Sequence, residues 1–183
     1  MGSPLTPEHY SAEQVVQLLG LEPLDREGGF FRRVGESLLM LPGTALPAAI
    51  GGDRRAWSCI YMLLTPGGFS ALHRLAIEEI WFLVAGDPLE SLRLASDGSG
   101  GWVRLGASPG NGLRLHDVVA AQTWQGTKLA AGGRWGLAAL VVVPEFTWQD
   151  FELGERTALT AAYPAFAADI AGLTRGQPPA GSR

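Results

Sequence analysis

Residues 67–86 read GGFSALHRLAIEEIWFLVAG: two apolar runs with a short polar break, closed by glycine at both ends. That is a strand–turn–strand pattern. It carries His73 and, six residues on, Glu79. Of the other two histidines, His9 lies in a polar N-terminal leader and His116 sits beside Asp117 in a later strand-like run. Neighbouring side chains on a strand point to opposite faces, so Glu78 and Glu79 part company. With Glu79 inward, Ile77 and Trp81 share its face, and Ile80 and Phe82 take the other. An imidazole nitrogen and a carboxylate on one barrel wall can bind a metal or move a proton.

Working outward, further strand candidates are EGGFFRRV, SLLML, WSCIYMLL, LESLRLA, GWVRLG, LRLHDVVA and RWGLAALVVV. Between them lie GTALP, TPGG, AGDP, SDGSGG, SPGNG and AAGG, clusters of the residues that tight connections require. Many short strands with such punctuation favour an antiparallel sandwich or barrel. Before them, Ser11–Gly20 predicts a helix: Ser11 and Gln14 have capping-box spacing, Val15, Val16, Leu18 and Leu19 form an apolar stripe, and Gly20 closes it. After them, DFELGERTALTAAYPAFAADIAGL reads as one or two short helices broken before Pro164. The organisation expected is one domain over residues 11–173, a loose leader at 1–10 and a flexible tail at 174–183, with no internal repeat.

Bulk properties exclude several classes. A chain of 183 residues that is 46% hydrophobic can bury one core and is not disordered. Net charge −4 argues against a nucleic-acid footprint, which needs clustered Lys and Arg. No apolar run reaches the roughly 18 residues of a membrane span. MGSPLTPEHYSAEQ has neither the basic region nor the apolar core of a secretory signal, so a cytoplasmic protein is expected. Cys59 is the sole cysteine, read as a buried strand thiol.

Gly67, His73, Glu79 and Gly86 stand in the register of the first signature of the cupin superfamily, with Leu75 where its second histidine falls. The second signature, Pro-x-Gly followed two residues later by His, can be laid on Ala120 to Gln125, AAQTWQ. That places Gln122 at the glycine and Gln125 at the histidine. The runs EGGFFRR, WSCIYMLL, LHRLAIEEIWFLVAGDPLE, TWQ and DFELGERTALTAAYP occur in an order that resembles the cupin subfamily of unknown function known as DUF985, across roughly residues 13 to 166. The resemblance implies an all-β double-stranded β-helix (the cupin jelly roll) with a short N-terminal helix and short C-terminal helices, and a homodimer. It names no reaction, although some members resemble deoxysugar 3,5-epimerases in shape.

The candidate site is a pocket inside the barrel. His73 is the expected acid or base, Glu79 its orienting partner, and Gln125 the binder of a substrate carbonyl or hydroxyl. Tyr61, Trp81 and Trp124 are expected pocket walls, since aromatic faces suit sugars and planar rings. Arg32 and Arg55 are candidate anion binders, with surface solvation the plainer reading for Arg55. Arg74 should face away from His73. Were a metal bound, His73, Glu79 and Gln125 would hold it. Only two of these are strong ligands, so a weakly held divalent ion or none is expected. The function expected is isomerase- or epimerase-like proton transfer on a polar, sugar-like or carboxylated metabolite. The alternatives are a metal-dependent oxygenase or lyase, and a non-catalytic metabolite-binding protein. SLLML and WSCIYMLL are the expected subunit contacts.

Overall fold

The computed structural model describes residues 2–175; the tail GQPPAGSR lies outside the described residues. Helix α1 (Ala12–Leu19) carries the full capping box: Ser11 accepts from Gln14 N, and the Gln14 side chain accepts from Ser11 N. Gly20 ends it in the left-handed conformation. Val15 is its buried residue, while Leu18, expected in the apolar stripe, is largely exposed. The Arg32 guanidinium donates to Leu19 O at 2.9 Å, so Arg32, a candidate anion binder in the sequence, is engaged at the C-terminal end of this helix.

Strands β1 (Glu22–Pro23), β2 (Phe30–Glu36), β5 (Ser58–Leu64), β12 (Gly136–Val143), β7 (Glu78–Gly86) and β10 (His116–Val119) form a six-stranded sheet in that order. Strands β13 (Phe151–Leu153), β6 (Phe69–Leu75), β11 (Trp124–Leu129), β8 (Leu89–Leu94) and β9 (Gly100–Leu105) form a five-stranded one. A two-stranded ribbon, β3 (Met40–Leu41) and β4 (Arg54–Arg55), stands apart. All strand pairings are antiparallel, as in the expected cupin jelly roll. The inward faces pack Met62, Leu64, Trp81, Leu89, Ala138 and Leu140 into one core.

A second core lies outside the five-stranded sheet. There Leu72, Leu92 and Trp124 pack beneath α2 (Arg156–Ala162) and α3 (Ala167–Gly172). A third joins α1 to Leu63, Trp135 and Leu137 outside the other sheet. Burying these faces stabilises the barrel by about 25 cal/mol per Å² of apolar surface removed from water.

Three segments differ from expectation. The segment expected to be helical opens with FEL as β13, paired with β6, and only then do the helices begin. The leader is anchored: Trp135 Nε1 donates to Tyr10 O at 2.8 Å and Arg134 to Pro7 O at 2.8 Å. Thr174, expected in the tail, is buried, donates to Ile170 O and accepts from Arg156 Nε. Gln122, at the signature's glycine position, holds φ at 65°, the left-handed region where glycine is at ease.

Candidate functional site

The turn after β6 carries the chain from one sheet to the other. His73 on β6 therefore faces Glu79 on β7 across the barrel interior, and both are buried. The alternation expected for β7 holds, with Glu78 exposed and Glu79 buried. Gln125 on β11 is the cross-strand partner of His73 on one side and of Arg93 on the other.

His73 Nδ1 lies 2.8 Å from Ala71 O. A carbonyl only accepts, so Nδ1 carries the proton and the neutral ring keeps Nε2 as a bare acceptor. The ring stacks on Phe151 with centroids 5.1 Å apart. Ala71 and Phe151 thus orient the imidazole. Glu79, the partner expected from the sequence, acts on it by charge, because its Oε2 accepts from Trp81 Nε1 at 2.8 Å and Gln125 Nε2 at 2.5 Å.

The Gln125 amide has one consistent orientation. Its oxygen accepts from Arg93 Nη1 at 3.0 Å and Trp81 Nε1 at 3.1 Å, so its N–H₂ must point to Glu79. Arg93 is held by Asp117 at 3.2 Å and Ser91 at 2.6 Å, and Asp117 also pairs with Arg114. A chain therefore runs from the exposed Arg114 through Asp117, Arg93 and Gln125 to the buried Glu79. Sequence reading missed Arg93, which looks like any outward charge in LESLRLA.

It missed Glu27 as well. Gly28 and Gly29 take φ of 111° and 74°. A Cβ on Gly28 would stand 2.2 Å from Phe69 O, so only glycine lets this turn close against β6. The turn delivers Glu27 to Ser70, whose hydroxyl donates to Glu27 Oε1 at 2.5 Å. The EGG triplet was the available signal: a carboxylate just before two glycines is set down wherever that turn packs.

Glu27, His73 and Glu79 share one cavity of about 340 Å³, within the range of small-molecule sites. Its walls are chiefly hydrocarbon and aromatic, with Phe31, Ile60, Leu140, Phe146, Trp148 and Phe151 prominent. Burial raises the Glu27 carboxyl to about 7, against the Ser70 hydrogen bond. Burial also raises Glu79, opposed by His73 and reinforced by the charge of Glu27. Burial lowers His73, and Glu79 pulls it partly back up. Perturbed groups converging in a cleft are the physical mark of a working site.

The other expected site residues lie elsewhere. Tyr61 faces outward beneath α1 and Trp124 outward beneath the C-terminal helices. Each sits on the outward face of its strand, so neither walls the cavity. Trp81 is fully buried core whose indole N–H serves Glu79. Both ends of the Gln125 amide are engaged within the protein, and it is not among the residues lining the cavity. Arg74 faces away from His73 as expected, over the Trp124 ring and paired with Glu152. Arg55 pairs with Glu36 and Glu145. Cys59 is partly exposed, with its thiol pushed up by burial. A larger open groove between the leader, α1 and Gly133–Trp135 carries the exposed Glu8, His9, Glu13 and Arg134 and the half-buried Tyr10.

The metal-ligand set does not fit. Leu75 supplies no donor, the Gln125 oxygen is turned to Arg93, and Glu79 Oε2 is already doubly bonded. Among the described residues no three His, Cys, Asp or Glu side chains are placed to hold an ion. No helix of the described residues is long and apolar enough to cross a membrane.

The sequence matches the family described as Cupin superfamily (DUF985) over residues 13–154. Two solved structures align along nearly the whole chain. A hypothetical protein from Leishmania major is 29% identical with TM-score 0.82, covering 91% of this chain and 100% of its own. A protein from Shewanella oneidensis is 32% identical with TM-score 0.80, covering 92% and 99%. The oxalate decarboxylase of Lactobacillus farciminis, solved as a formate complex, is 17% identical with TM-score 0.51, covering 86% of this chain and 43% of its own, a likeness of fold alone. No protein of curated function matches the sequence. The chain belongs to the DUF985 family of cupins.

Proposed function

We propose that this DUF985 cupin uses the cavity as an acid–base site for a small metabolite, with proton transfer of isomerase or epimerase type. The observation that carries this is the His73 ring: fixed at Nδ1 by Ala71, stacked on Phe151, with Nε2 unpartnered in a largely apolar cavity. Burial favours the neutral ring near pH 7, which is the form that accepts a proton. Nε2 takes a proton from a carbon of the ligand, leaving the electron pair on that carbon. The Glu79 carboxylate stabilises the imidazolium that forms, and the proton returns to the same ligand.

Incubation with a metabolite extract in D₂O tests this. A compound should gain carbon-bound deuterium with wild type and not with His73→Asn. A compound that raises the melting temperature yet gains no deuterium supports binding without turnover. The engagement of Gln125 within the protein favours that second reading, because the expected oxyanion donor is then absent. The misfit of the donor set weighs against a metal-dependent oxygenase or lyase.

For assembly we propose a homodimer, as the family resemblance implies. Leu38, Leu39, Met40 and Trp57 from the expected contact segments are exposed, whereas the rest of WSCIYMLL is β5, paired on both sides within its sheet. A single mass of one chain across a wide concentration range in light scattering would overturn it.

A further inference from the structure

The polar end of the cavity has one chemical sense. Glu27 Oε1 accepts from Ser70 and Glu79 Oε2 from Trp81 and Gln125, which leaves Glu27 Oε2 and Glu79 Oε1 without protein partners. His73 Nε2 is likewise an unpartnered acceptor. The only sealed, unpartnered side-chain polar atom among the described residues is Arg93 Nη2, so the three acceptors keep access to the cavity. Among the described residues no buried cation lines it. Arg33, its one lining arginine, is exposed and paired with Glu36, and Arg93 reaches the site only through the Gln125 amide.

Three acceptors, two of them carboxyls, thus face a space whose remaining walls are mostly aromatic and aliphatic. A carboxylated ligand would add a negative charge beside two carboxyls whose own ionisation burial already opposes, and a sugar would press hydroxyls on hydrocarbon. Both substrate classes expected from the sequence are disfavoured. An ammonium presents three donors and one positive charge, and charge-assisted hydrogen bonds to carboxylates are the strong kind.

We propose that the cavity takes a small hydrophobic amine, its ammonium head held between Glu27 and Glu79 beside His73 and its aromatic or branched aliphatic body against Phe31, Phe146, Trp148 and Phe151. The inference rests on the reading of this cavity as a small-molecule site.

Three probes of one shape separate the possibilities: 2-phenylethylamine, 2-phenylethanol and 3-phenylpropanoate, titrated while the His73 ring and Trp148 indole are followed by NMR. The amine is expected to bind at least about tenfold more tightly than the carboxylate. Glu27→Gln, which keeps the acceptor for Ser70, should weaken the amine by about tenfold and leave the alcohol unchanged. Glu79→Gln is the second variant, with the same expectation. Binding of the carboxylate as tight as that of the amine, or an amine affinity indifferent to both substitutions, overturns the amine assignment while the small-molecule site stands. Failure of all three probes to move His73 or Trp148 overturns both.

Discussion

The carboxamide nitrogen of Gln125 donates to Glu79 Oε2 across 2.5 Å, while the amide oxygen is turned to Arg93 and Trp81. Gln125 is therefore a coupling between a guanidinium and a carboxylate from opposite sheets. It reads as a replaced metal ligand in the sequence and is a buried connector in the fold.

Gln125→Leu should then cost about 3 kcal/mol, because it removes one of the two acceptors of Arg93 Nη1, leaving Ser91, and a donor from Glu79. Urea unfolding measures it. A loss no larger than that of an ordinary surface substitution would mean that the connector carries no stability.

Glu27 gives stability a pH signature. Its carboxyl releases its proton at about 7 in the fold against an ordinary 4.5. With the folded value raised, its contribution is complete below about pH 4.5 and is lost as pH rises to 7, by about 3 kcal/mol. Glu27→Gln removes that slope. The variant should match wild type near pH 4 and exceed it in stability near pH 8. Parallel curves for the two proteins would show that Glu27 titrates normally.

The mouth of the cavity depends on a remote ion pair. Arg54 and Asp150 are both buried and bonded through two nitrogens and two oxygens at 2.7 and 3.2 Å. Asp150 also accepts from Thr147 N and Oγ1, so it fixes the turn that carries Phe146 and Trp148. Asp150→Ala should destabilise by about 3–5 kcal/mol by leaving a buried guanidinium unpaired. Trp148 fluorescence should shift as that wall loosens. An unchanged melting temperature would refute the coupling.

Metal content follows from the same donor geometry. Protein purified without chelator should carry less than one equivalent of any transition metal, and His73→Ala should not change that. One full equivalent of a single metal, lost in His73→Ala, would restore the metal-dependent reading.

The parts legible in the sequence were those with local causes. The capping box at Ser11, the alternation through Glu78–Phe82 and the glycine-bounded His73 stretch each state their geometry within a few residues. What was hidden depends on distant partners. WQGTKL did not read as a strand because Gly126 and Lys128 interrupt its apolar pattern; Gly126 is there because a Cβ would stand 2.9 Å from Leu72 Cγ. FEL was masked by the helix-forming run after it. The in-or-out direction of Tyr61 and Trp124 needed the strand register, and the inward turn of Arg93 needed Asp117 and Gln125. Glu27 lies far from the signature residues in the chain, and only the close packing of Gly28 on β6 brings it to them.

His73 is a buried, neutral acceptor coupled by charge to Glu79. An NMR pH titration of the His73 ring in wild type and Glu79→Gln tests it most directly. The wild-type ring should protonate below the ordinary 6.5, and lower still in the variant, because burial depresses it and Glu79 pulls it up. A ring that titrates near 6.5 in both proteins would contradict the claim and leave His73 a structural residue.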